Sequence, residues 1–219
     1  MKLKINQLVL LAVTALSACA NSPPAPDWQL SAKGALERSV SAYLQGNAKV
    51  EAVEFAAARS ALARTGRADL LARAELTRCA ARVASLVFET CVAYAPLASD
   101  AGEQTRAYND YLSGALKPGD AVLLPEQHRA VATGSVNLAA LQAMSDPLAQ
   151  LVAAAVLLQT GRAEPAVLNL AADTASAQAW SRPLLAWLNA QLMRARASGD
   201  AQKVEELQRR IARITALPF

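Results

Sequence analysis

The sequence predicts an all-α protein of stacked antiparallel helical hairpins. Three observations carry that prediction. Hydrophobic residues make up 53% of the chain but aromatics only 5%, and much of the apolar share is alanine. Alanine is the strongest helix former and adds little bulk between helices. Alternating β-branched runs with Asn-Gly turns, the mark of sheet hairpins, are almost missing. Apolar segments of helical period instead recur between glycine stops. A length of 219 residues suits one domain or one array of repeats.

The N-terminal segment is different in kind. Lys2 and Lys4 precede an apolar run from Leu8 to Leu16, and the small residues Ser17 and Ala18 stand just before Cys19. That arrangement describes an export signal. The run is far shorter than the ~20 residues of a spanning helix. Leu16-Ser17-Ala18-Cys19 resembles the lipobox of bacterial lipoproteins. The resemblance implies a signal peptide over 1–18 and an acylated Cys19 as the first mature residue. It implies more than one acyl chain, which holds a protein stably at a membrane. Ala20 occupies the position where aspartate is the usual inner-membrane retention signal in enteric bacteria, so the resemblance implies an outer-membrane anchor facing the periplasm.

Residues 19–27 then read as the acylated cysteine and a proline-rich linker, because Pro23, Pro24 and Pro26 favour an extended spacer. A single helical domain is expected over 28–219, with a division into two halves near 117–125 left open. Asp27 is expected to cap a helix over Trp28 to Gln45, stopped by Gly46. Ala48 to Arg64 follows, with Val50, Val53, Ala57 and Ala61 in one stripe, widened by Phe55, Ala58 and Leu62. Glu51, Glu54 and Arg59 should face water. Ala68 to about Leu86 makes a third helix, and the irregular apolar segment from Val87 to Pro96 should cover the core. Asp100 to Leu116 reads as helix, and Lys117-Pro118-Gly119-Asp120 as a turn. Ala121 to Leu124 is the one place read as extended. Glu126 to Thr133 and Leu138 to Met144 are short helices. Asp146 caps the next helix, with Pro147 at its first position. Leu151 to Leu158 holds no polar residue, so this helix should be buried on every side. Pro165 to about Gln178 follows. Ser181 is expected to cap the next helix, which runs to Ala197, with Trp180 stapled onto Leu185. In the last helix Val204, Leu207, Ile211 and Ile214 form a single apolar stripe.

One stretch recurs. Leu62-Ala63-Arg64-Thr65-Gly66-Arg67-Ala68-Asp69 returns loosely as Leu157-Leu158-Gln159-Thr160-Gly161-Arg162-Ala163-Glu164. Recurrence of this kind suggests stacked hairpins. Ala154 to Leu170 resembles a tetratricopeptide repeat, with Ala154, Gly161 and Ala166 at its small positions and Asp173 departing from it. A tetratricopeptide-like array and an irregular helical bundle both stay open.

With Cys19 assigned to lipid, Cys79 and Cys91 remain. An even pair in an oxidising compartment favours a disulfide over two free thiols. In continuous helix the two would stand ~18 Å apart, so a bridge requires the chain to break between Ser85 and Thr90. Two cysteines without further ligands do not make a metal site, and no cofactor motif is found. His128 is the sole histidine. Glu126 lies two residues before it, and on a helix the two diverge, so His128 reads as exposed or capping rather than catalytic. Trp180, Trp187, Tyr108 and Tyr111 read as packing residues. Glu205-Glu206 and Glu51 with Glu54 read as solvated faces.

Lys2 and Lys4 account for two of the formal +4 charges. The remainder is near balance and lacks a basic run with interleaved aromatics, so nucleic acid is not an expected partner. The expected function is a non-catalytic adaptor or assembly factor for an envelope protein partner. A peptidoglycan-active enzyme and a periplasmic carrier of an apolar ligand are the alternatives.

Overall fold

The computed structural model describes residues 25–134 and 138–216. The described residues form ten α-helices and two short 3-10 turns, without strands. The all-α prediction holds. α1 (Asp27–Leu44) and α2 (Ala48–Ala63) pair as a hairpin, and α3 (Ala68–Ala84) packs on both. A 3-10 turn at Ala95–Leu97 leads to α4 (Glu103–Leu112). A second one, Asp120–Leu123, leads to α5 (Glu126–Thr133) and α6 (Leu138–Gln142). α7 (Pro147–Gln159) and α8 (Pro165–Ala177) form the next hairpin, followed by α9 (Ser181–Ala197) and α10 (Ala201–Thr215).

α7 is the centre. Leu151 to Leu157 are all buried, as their composition requires. α3 lies along one side and α8 along another, while α4, α5 and α6 also touch it. Alanines line these contacts: Ala153, Ala154 and Ala155 on α7, Ala80 and Ala84 on α3, Ala171, Ala172 and Ala175 on α8. The main core draws its residues from Ala72 to Leu207, on both sides of 117–125. α10 presents the expected stripe, with Leu207 buried and Val204, Ile211 and Ile214 half-buried on the core.

Polar side chains tie the layers together at helix ends. The indole Nε1 of fully buried Trp187 donates to the carbonyl of Ala84, at the end of α3, at 3.1 Å. Ser181 Oγ and Arg182 Nε donate to the carbonyls of Gln45 and Tyr43 at 2.9 and 2.8 Å. The buried Ala84 carbonyl accepts no backbone amide, so the indole satisfies a group that would otherwise be orphaned, whereas the Tyr43 carbonyl also accepts from the Gly46 amide at 3.0 Å.

Six helix ends share one pattern, in which the amide two residues past the helix cap reaches back to the last full turn. Examples are Asn47 to Ala42 and Arg162 to Leu157, both at 2.8 Å. Val87 to Arg82, Ala115 to Asp110, Trp180 to Ala175 and Asp200 to Ala195 complete the set. The pattern needs a left-handed residue just before. Glycine supplies it four times, whereas Leu86 (φ 58°) and Ala179 (φ 53°) adopt it without glycine. The two copies of the recurring stretch are both helix–turn–helix joints. Gly66 and Gly161 have φ of 67° and 70°, and Thr65 and Thr160 hydroxyls donate to Leu62 and Val156 carbonyls.

Several expectations need correction. Pro26, not Asp27, precedes α1, and Asp27 is its first residue. α4 is shorter than expected, because the turn through Gly114 ends it at Leu112. Residues 121–124 are not extended: Asp120–Leu123 is a 3-10 turn entered through left-handed Gly119. Ser181 does not cap α9, because its hydroxyl serves the end of α1. The 87–96 segment covers the core only in part, with Tyr94 buried but Phe88 and Val92 exposed. α2 is turned from the expected stripe. Val53 is 70% exposed and Glu51 only 5%. Alanines on every side of α2 leave its apolar pattern without a dominant face, and the burial is decided instead by Phe55 and by a partner for Glu51.

Replacing Trp187 by Phe removes the donor to Ala84 and part of the packing volume. The expected loss is about 2 kcal/mol in denaturant unfolding, with the helical circular dichroism of the native state unchanged.

Candidate functional site

Of the residues expected to carry function, Cys19 lies outside the described residues. Cys79 and Cys91 are brought together. α3 ends at Ala84, Leu86 turns the chain, and the two Cα atoms approach to 6.1 Å, at disulfide distance. The break falls inside the expected Ser85–Thr90 window. The pair borders a small cleft of about 220 Å³ with Glu75, Arg78, Arg82 and Thr90.

Two acids lie behind that cleft. The Glu51 carboxylate accepts from Arg78 Nε at 2.5 Å and Nη2 at 3.1 Å. Arg78 in turn covers the Phe55 ring, 4.5 Å from its centroid. Glu75 is 2% exposed and forms an ion pair with Arg59 at 3.3 Å, without hydrogen-bond alignment at that oxygen. Burial pushes the Glu75 carboxyl above its ordinary range, while Arg59 and Arg78 pull it back. The arrangement joins α2 to α3. Breaking a buried pair by removing one member leaves an uncompensated charge, which makes such pairs costly to disrupt.

His128 corrects the expectation that it is exposed or capping. It is 2% exposed and sits against Tyr111 and Tyr108, with ring centroids 5.0 and 5.7 Å away. Glu126 is on the exposed side of α5, so the two diverge as the spacing requires. Burial lowers the imidazole to about 4, with Asp146 pulling weakly the other way, so the ring is neutral near pH 7. Its Nδ1 and the Tyr111 hydroxyl find no hydrogen-bond partner among the described residues. Burial also raises both tyrosine hydroxyls. The cluster is a packed aromatic wall rather than an acid–base pair. Trp187 and Tyr111 are core residues, as expected.

A mainly apolar concavity was not foreseen. It is a groove of about 420 Å³ walled by Leu36, Val40 and Leu44 of α1, by Pro147 and Leu148 at the start of α7, and by Trp180. Lys33, Glu37 and Asp146 stand at its edge. Asp146 is held there as the cap of α7, accepting from the Leu148 amide at 2.9 Å. The signals were present singly, in Trp180 before a helix and Leu148 beside a cap. Nothing local says that they meet α1.

Among the described residues no three His, Cys, Asp or Glu side chains are placed to hold a metal ion, and no helix is long and apolar enough to cross a membrane. The chain matches no protein-family model, no curated protein and no solved structure.

Two outcomes follow from this geometry. His128 binds a proton more readily when unfolded (~6.5) than when folded (about 4), so its share of stability is complete above pH ~6.5 and is lost as pH falls toward 4. His128→Phe should therefore flatten the acid limb of a melting-temperature profile between those values. An unchanged limb would refute the assignment. The Cys79→Ser/Cys91→Ser double variant should lose about 3 kcal/mol relative to the oxidised protein. Thiol titration of the unreduced, denatured protein that finds both cysteines free would contradict the pairing.

Proposed function

We propose that the protein is a lipid-anchored envelope lipoprotein whose helical domain is a non-catalytic adaptor or assembly factor. The anchor reading is supported by Leu16-Ser17-Ala18-Cys19 with its basic and apolar flanks. The Cys79–Cys91 approach suits an oxidising compartment such as the periplasm. The Ala20 position supports the outer membrane. A tetratricopeptide-like origin is supported by the common turn geometry at Gly66 and Gly161.

The observation that carries the adaptor reading is the α1–α7–Trp180 groove. It has an apolar floor and a charged edge, the anatomy of a surface that takes the hydrophobic face of a partner helix. Lys33 and Glu37 face each other at 3.8 Å, which leaves Asp146 as the surplus charge at the edge. The partner is therefore an amphipathic helix of another envelope protein, with leucine-sized anchors for the groove and a basic residue beside them. The enzyme alternative rests on Glu75, the buried acid with a raised carboxyl, but two guanidinium groups oppose its protonation.

The test is in-cell crosslinking with mass spectrometry on the native chain, on Cys19→Ser and on Val40→Glu. A stoichiometric envelope partner crosslinked near Leu36–Leu44 and Trp180 is expected. It should be lost in Val40→Glu with the melting curve retained, and mislocalised in Cys19→Ser. A chain that crosslinks to no partner, or whose partner is indifferent to Val40→Glu, refutes the adaptor reading.

A further inference from the structure

A second concavity lies between α3, α4 and α5. Its volume is about 390 Å³. Its walls carry two arginines, Arg73 from α3 and Arg129 from α5, and no acid. Neither arginine forms a close ion pair among the described residues; Asp69, which Arg73 feels at longer range, is paired with Arg67 at 2.8 Å. Arg129 is steadied from behind, its Nε donating to the Leu124 carbonyl at 2.8 Å. The nearest acid of α4, Glu103, belongs instead to the neighbouring cleft with Arg106 and Asp110.

The first turn of α4 enters the same cleft through Gln104 and Thr105. Gly102 precedes this helix, so no side chain caps its opening amides. A helix start carries partial positive charge and unpaired N–H groups. Thr105 lines the cleft, where its hydroxyl can serve an occupant. Two guanidinium groups outside any close ion pair, a helix start without a side-chain cap and a threonine hydroxyl thus converge from three elements. Beside them the wall is apolar, formed by Leu76, Leu123, Leu124 and Pro125.

We propose that this cleft binds a small organic acid, with its carboxylate or phosphate oxygens held by Arg73, Arg129 and Thr105 and a short apolar body against Leu76, Leu123 and Leu124. Guanidinium groups suit such oxyanions because their planar donors match two oxygens at once. The volume exceeds what a bare inorganic anion fills, and the apolar wall accounts for the rest. The site is separate from the partner groove, although Thr77 borders both.

The test is calorimetric titration of the purified full chain with hexanoate, hexyl phosphate and hexan-1-ol. At least one of the acids should bind, and the alcohol at least about tenfold more weakly, since it offers the same body without the anion. The better of the two acids names the head group. Arg73→Gln and Arg129→Gln should each weaken the acid about tenfold, and Arg73→Gln should leave the melting curve unchanged because that side chain is exposed. Arg73 supports no described backbone group, so its variant remains decisive if Arg129→Gln loosens the wall. Val40→Glu should bind the acid normally, which separates failure here from failure of the adaptor reading. Equal binding of the alcohol, indifference to Arg73→Gln, or no heat from either acid would overturn the proposal.

Discussion

A helix without a polar face has to be covered on all sides, and most of this architecture follows from covering α7. Seven consecutive buried residues, Leu151 to Leu157, leave no direction open to water. Short alanine side chains at the contacts let α3 and α8 press against it, while α9 packs on α8 and α10 on α9 as a further layer. Bulk is then needed at few points, and Trp187 and Tyr111 are the largest fully buried side chains. Each finds a different fate for its polar atom. The indole meets the Ala84 carbonyl, while the Tyr111 hydroxyl is left without a partner beside His128.

The α1–α2 hairpin joins this body by other means. Its own apolar cluster is small, built on Phe55, Ala61 and Leu62 with Ala74 of α3. Charge supplies the rest, through Glu51 with Arg78 and Glu75 with Arg59 across the same boundary. Desolvating those acids is costly, and the guanidinium groups offset it only in one relative placement of α2 and α3. Orientation is therefore set by paired charges where alanine contacts would leave it loose. The partner groove lies where this hairpin meets the α7 start, so its shape depends on that placement.

Much of the fold was legible because its punctuation is local. Gly46, Gly161 and Gly199 stop helices through a hydrogen-bond pattern that needs a left-handed residue, and glycine announces it. Asp146 and Pro147 announce the start of α7 in the same way. Leu86 and Ala179 turn the chain with ordinary side chains, and nothing in the residue types marks them. Burial was legible where composition was extreme, as in Leu151 to Leu157, and illegible where it was even, as in α2. His128 and Glu51 were misread for one reason: a polar residue is buried when distant residues supply its surroundings, and those are Tyr108 and Tyr111 in one case and Arg78 in the other. The groove and the arginine cleft were invisible for the same reason, since each is assembled from three or more separated segments.

The end of α3 is secured twice, and the two ties mature on different schedules. Cys79 and Cys91 stand 12 residues apart, so their approach needs only a short stretch of chain. The Ala84 carbonyl waits for an indole 103 residues downstream. A chain that folds from its N-terminus can therefore bring the two cysteines together while the end of α3 is still a stub without its indole partner. That stub and the uncovered alanine face beside it persist until α7 to α9 have been made.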